Sequence, residues 1–104
     1  MRPLEHKKLL TLITSGDLQR LVVETLRGCG VGGYTVVPAT GAGSNGLQMG
    51  FFDCDSNVVI YVIMSEERLQ RTLEEIDRLM RGGYRIKALV SDIAILPRKP
   101  QAKA

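Results

Sequence analysis

The sequence predicts an α+β domain whose strands and helices follow in the order βαββαβ. Two observations carry this prediction. Apolar residues recur at three-and-four spacing in two stretches, and each stretch lies between β-rich runs that are apolar nearly throughout. The chain of 104 residues is also of single-domain size, with no repeat, linker or low-complexity segment.

The elements follow in order. Residues 7–14, "KKLLTLIT", read as the first strand. In "SGDLQRLVVETLRGCG", Leu18, Leu21, Val22, Thr25, Leu26 and Cys29 share one helical face. Ser15 or Asp17 is expected to cap that helix, and Gly28 or Gly30 to end it. Residues 33–39 read as a second strand, with Pro38 marking an edge or a bulge. Residues 57–64, "NVVIYVIM", form the clearest strand, apolar enough to be covered on both faces. Ser65 is expected to cap a helix that runs to about Arg81 and buries Leu69, Leu73, Ile76 and Met80. Glu67–Arg71 and Glu74–Arg78 are four apart on its wet side. "GGY" breaks the helix, and residues 86–96 make the last strand before Pro97.

This is the ferredoxin-like arrangement. Two right-handed βαβ units place both helices on one face of a four-stranded antiparallel sheet. The other face still carries apolar side chains, and an apolar patch of that size marks an interface. A homo-oligomer built sheet to sheet is therefore expected.

The net charge of +3 is mild and sits largely in the tail "PRKPQAKA", which gives little support to nucleic-acid binding. Tyr61 alone is aromatic on the central strand, where an RNA-recognition sheet needs several stacking rings. No apolar run is long enough to span a bilayer, and "MRPLEHKKLL" lacks the pattern of a signal peptide. A cytoplasmic protein with Cys29 and Cys54 reduced is expected. The two cysteines lack zinc spacing, so no structural metal is expected. An enzyme is disfavoured. His6 is the only histidine and lies near the N-terminus, and Cys54 sits between Asp53 and Asp55, which raise rather than lower a thiol pKa.

The stretch "GGYTVVPATGAGSNG", Gly32 to Gly46, starts as a strand and dissolves into glycines and small polar residues. Connections longer than roughly 12–15 residues are usually functional or disordered. Glycine lets a ligand approach the backbone, and successive bare N–H groups bind phosphate. The loop lacks the lysine of a Walker motif and the following helix of a dinucleotide fingerprint. A second glycine break, "RGGYRIK" from Arg81 to Lys87, is flanked by cations, and Arg98 and Lys99 follow in "PRKP". Such groups suit a polyphosphate held between subunits.

On these residues the chain resembles the PII signal-transduction proteins and their PII-like relatives. The spacing of Gly33, Thr35, Val36, Gly41 and Gly43 is matched, as is "KKLLTLIT" with a helix directly after it. The resemblance implies a homotrimer that binds adenine nucleotides (ADP, ATP or AMP) in clefts between subunits. It implies that Gly41, Gly43, Ser44 and Asn45 lie near the phosphates, Leu12 beside the base, and Thr35 with Val36 near the adenine or ribose. Arg81, Gly82, Gly83, Arg85 and Lys87 correspond to the loop that holds phosphates from the neighbouring subunit. Arg98 and Lys99 correspond to a pair of C-terminal arginines. The segment "LQMGFFDCDS" is short and lacks the modifiable tyrosine of true PII proteins. That departure is closest to the divergent members linked to bicarbonate transport and carboxysomes. It implies bicarbonate as a second ligand and a protein partner that reads residues 43–56, a bicarbonate transporter or a carboxysome component. Phe51 and Phe52 either tuck onto the core or dock on that partner. No catalytic cofactor is implied. The alternative is a structural or metal-tolerance-type trimer of the same fold that binds no nucleotide.

Overall fold

The computed structural model describes residues 1–40 and 57–98. Strand β1, Glu5–Ser15, leads through a short 3-10 turn, Gly16–Leu18, into helix α1, Gln19–Gly28. Strands β2, Thr35–Ala39, and β3, Asn57–Met64, follow. Helix α2 covers Glu66–Arg81 and strand β4 covers Ile86–Ile95. The four strands form one antiparallel sheet in the order β2-β3-β1-β4, the expected topology. Pro38 lies on the edge strand β2, where its missing N–H removes no ladder bond from a central strand.

Register divides the side chains between two faces. Leu10, Leu12, Val58, Ile60 and Val62 alternate inward and meet Val22, Leu26, Leu69 and Ile76 from the helices. Full burial of each such side chain contributes about 1.5–3 kcal/mol. Thr14 and Thr72 are the buried polar residues among those described, and both hydroxyls are satisfied. Thr72 Oγ1 donates to the Arg68 carbonyl at 2.8 Å, and Thr14 Oγ1 to the Arg85 carbonyl at 2.7 Å. The opposite sheet face is uncovered. Ile63, Leu89, Tyr61 and Val37 are each 40–47% exposed there. In this protomer β3 is thus buried on one face only, and Tyr61 lies outside the core.

The helices end alike. In α1 the Gly30 N–H donates to Arg27 O and the Val31 N–H to Leu26 O. In α2 the Gly83 N–H donates to Met80 O and the Tyr84 N–H to Leu79 O. Both are Schellman closures, which need a left-handed residue, and Gly30 (φ 80°) and Gly83 (φ 104°) supply it. Arg68 of α2 also donates to the Cys29 carbonyl at 2.9 Å, placing a cation at the negative end of α1. Cys29 itself is a buried free thiol.

The helix starts differ from each other. Ser65 caps α2 as expected, its hydroxyl accepting from the Arg68 N–H at 3.2 Å. Glu66 and Glu67 follow in the first turn, where carboxylates favour the positive helix end. Replacing Ser65 with Ala should lower stability by about 1 kcal/mol, read as a shift in the denaturant midpoint at unchanged slope. Neither Ser15 nor Asp17 caps α1. Ser15 is still paired with Asn57 in the sheet, and the 3-10 turn feeds the helix directly.

Three expectations about the helix faces are corrected. Val23 is buried while Leu21 is only half-buried, and Thr72 is buried while Met80 is 42% exposed. The two helices touch each other as well as the sheet, which rotates each buried stripe toward their seam. On the wet side, Arg78 pairs with Glu75 at 3.1 Å and Arg81 with Asp77 at 3.1 Å, in place of Glu67–Arg71 and Glu74–Arg78.

Candidate functional site

Strand direction sorts the connections into two poles. Ala39 pairs with Asn57, Asn57 with Ser15, and Thr14 with Ile86. The ends of β1 and β2 and the starts of β3 and β4 therefore share one pole. The chain leaves β2 there at Thr40, and the turn from α2 to β4 lies there too. Both glycine-bearing segments singled out in the sequence thus begin at the same pole, but from opposite edges of the sheet. Three interstrand spacings, roughly 14 Å, separate those edges. Gly41, Gly43, Ser44 and Asn45 lie outside the described residues, as do the rest of 41–56 and Lys99.

The turn Gly82–Arg85 is fastened at both ends. The Gly82 N–H donates to Arg78 O and Leu79 O, and the Gly83 and Tyr84 amides close the Schellman motif. These N–H groups are therefore occupied by the helix and form no phosphate nest. What the turn offers is side chains. Arg81, Arg85 and Lys87 are exposed, with Arg81 engaged by Asp77. The Thr14 hydroxyl holds the Arg85 carbonyl and so ties the cationic turn to β1. That anchoring role was missed in the sequence, where Thr14 reads only as part of an apolar strand.

The remaining expected residues are spread out. Thr35 is exposed on the open face, directly across from Tyr61, while Val36 points to the helix side opposite Ile60. Leu12 has no exposed surface and is a core residue between Ile60 and Ala88. Lys87 is opposite Ile13 on the open face. Arg98 lies at the other pole. Antiparallel pairing carries β4 from Ile86 beside Thr14 to Ile95 beside Glu5, roughly 30 Å away at 3.3 Å per residue. One protomer therefore has Arg81, Arg85 and Lys87 at one pole and Arg98 at the other.

Two depressions lie elsewhere, on the helix side. One is lined by Asp17, Arg20, Val23, Arg27 and Tyr34, the other by Thr25, Cys29, Arg71 and Glu75. Neither includes a residue predicted for the site. Among the described residues no cluster of three His, Cys, Asp or Glu side chains is placed to hold a metal. No helix among them is long and apolar enough to cross a membrane.

The family model described as nitrogen regulatory protein P-II matches residues 7–96. The chain belongs to the P-II family. That P-II match spans both helices and all four strands, apart from the first two residues of β1. Solved P-II-like structures agree. A PII-like signaling protein from Thermus thermophilus is 28% identical, covering 92% of this chain and 94% of its own, with a TM-score of 0.74. CPII from Thiomonas intermedia K12, a PII-like protein bound to ADP and bicarbonate, is 27% identical, covering 91% and 93%, with a TM-score of 0.78. CPII bound to ADP, AMP and bicarbonate is 26% identical, covering 91% and 92%, with a TM-score of 0.76. No curated protein sequence matches the chain significantly.

Proposed function

We propose that this P-II family member is a regulatory homotrimer. It binds adenine nucleotides in the clefts between its subunits, with bicarbonate as a second ligand. It signals through residues 43–56 to a protein partner in inorganic-carbon metabolism. It carries no catalytic step. The observation that carries this reading is the likeness to CPII. That protein matches over nine-tenths of both chains and is described with ADP, AMP and bicarbonate bound.

The geometry supports the same reading. The two glycine-bearing segments start at one pole but on opposite edges of the sheet, roughly 14 Å apart. A second copy can set the β4 edge of one subunit beside the β2 edge of the next. Gly41, Gly43, Ser44 and Asn45 would then face Arg81, Arg85 and Lys87 across the boundary, with Arg98 and Lys99 reaching in from the opposite pole of a neighbour. The uncovered apolar face gives such copies a surface to share.

Calorimetric titration with ATP, ADP, AMP and cyclic AMP, each with and without bicarbonate, tests the proposal. Saturable binding of at least one adenine nucleotide is expected. Arg85→Ala should weaken it by about 1.5–3 kcal/mol if a charge-assisted bond to phosphate is lost. Gly41→Val should bar the close approach of ligand to backbone. Absence of binding by any of the four would favour a structural trimer of the same fold.

A further inference from the structure

The family match begins at residue 7 and ends at residue 96. One side chain joins the two segments outside it. The Arg2 guanidinium donates from Nη1 to the carbonyl oxygens of Pro97 and Arg98, both at 2.7 Å. The neighbouring strands explain why such a clamp is needed. Glu5, His6 and Lys7 pair with Ile95, Ala94 and Ile93 of β4, whereas β3 reaches no further along β1 than Lys8. This pole is therefore a two-stranded ribbon, an arrangement that is marginal by itself in water. Pro97 then ends the ladder, because proline has no N–H to donate. Beyond Ile95, Arg2 fastens the described chain at two consecutive carbonyls.

We propose that Arg2 is a positioning residue. By fixing the backbone at Pro97 and Arg98, it holds the Arg98 guanidinium where it meets the phosphate of a nucleotide bound at the subunit boundary. The inference rests on the proposed intersubunit nucleotide site. Two features favour action through Arg98 rather than on the ligand directly. The donating nitrogen of Arg2 is occupied by two carbonyls. The Arg98 side chain is exposed, and like charge directs it away from Arg2. A tail anchored before the ligand arrives loses less conformational freedom on binding than a loose one.

The test is ADP titration of the parent, Arg2→Ala, Arg98→Ala and the double variant, joined to tryptic cleavage after Arg98. Arg98→Ala should weaken ADP binding roughly ten- to hundredfold, the loss expected for a charge-assisted bond. Arg2→Ala should weaken it roughly fivefold or more, the cost of re-fixing backbone on binding. The double variant should bind like Arg98→Ala alone, and Arg2→Lys should recover most of the loss because an ammonium can donate to the same carbonyls. Cleavage after Arg98 should quicken in Arg2→Ala. Losses that add in the double variant would show that Arg2 acts on the ligand or through its charge, and would overturn the inference. So would equal ADP affinity of parent and Arg2→Ala, equal affinity of parent and Arg98→Ala, or unchanged cleavage. A parent protein that binds no ADP would instead overturn the nucleotide reading, and the inference with it.

Discussion

Ile63→Lys is expected to yield a folded monomer that binds no nucleotide. Ile63 is 47% exposed on the open sheet face and paired across from Leu9. The isolated protomer therefore gives a lysine there ready access to water, and its stability should hardly change. In an assembly built on that face the same ammonium is buried in every subunit. The desolvation penalty is several kcal/mol per ion, far more than the apolar contact it replaces. Loss of the assembly should remove nucleotide binding too, because the proposed site needs residues from two copies. Light scattering gives the mass and calorimetry the affinity. An undiminished trimer would show that copies meet by another surface, whereas a monomer that still binds ADP would place the site within one chain.

Leu12→Ala is expected to destabilise the protein by about 2–5 kcal/mol, the range for removing a fully buried leucine. Domains of this kind are stable by only about 5–15 kcal/mol in total, so the effect is a large share of the whole. Leu12 has no exposed surface and is flanked by Ile60 and Ala88 on the neighbouring strands. Denaturant midpoints compared at one protomer concentration give the change, since assembly makes stability depend on concentration. Nucleotide affinity of the folded variant should stay near that of the parent. The reverse result, with stability kept and affinity lost, would return Leu12 to the base-contacting role that the family resemblance implies.

Much of the fold was legible because its signals are local. The apolar run Asn57–Met64 gave β3 to the residue, Ser65 announced the cap of α2, and Pro38 marked an edge. The polar start of β1 was not legible. Glu5 and His6 carry no apolar signal and are held in the strand by backbone pairing with β4. Thr72 was passed over for Met80 because periodicity weighs hydrophobicity, whereas the helix–helix seam selects position. A threonine whose hydroxyl bonds its own helix satisfies that position without loss. For the site, the sequence offered "RGGYRIK" and "PRKP" as cations for one polyphosphate held between subunits. The ten-residue strand β4 sends them to opposite poles of one protomer, a separation that the sequence pattern alone does not display. The break at Gly82–Gly83 was legible as the end of a helix, and the N–H groups there are indeed taken up by the end of α2. Arg2 had no sequence signal at all, since its partners lie 95 and 96 positions away.

The contact between Arg2 and Pro97–Arg98 has a topological corollary. The two ends of the described chain lie within one side chain's reach, so the described fold very nearly closes into a circle. In a circle the first element is a matter of where the cut falls. Joining the ends with a short flexible linker and reopening the chain between Thr40 and Asn57 would start the protein at β3. The rearranged order βαββαβ would be written from the other half, since β3-α2-β4 and β1-α1-β2 are the same unit repeated. Every strand would keep its neighbours in the sheet. The two halves are thus interchangeable in topology, and they differ in sequence: the first sends the chain out at Thr40, and the second carries the cationic turn Arg81–Lys87.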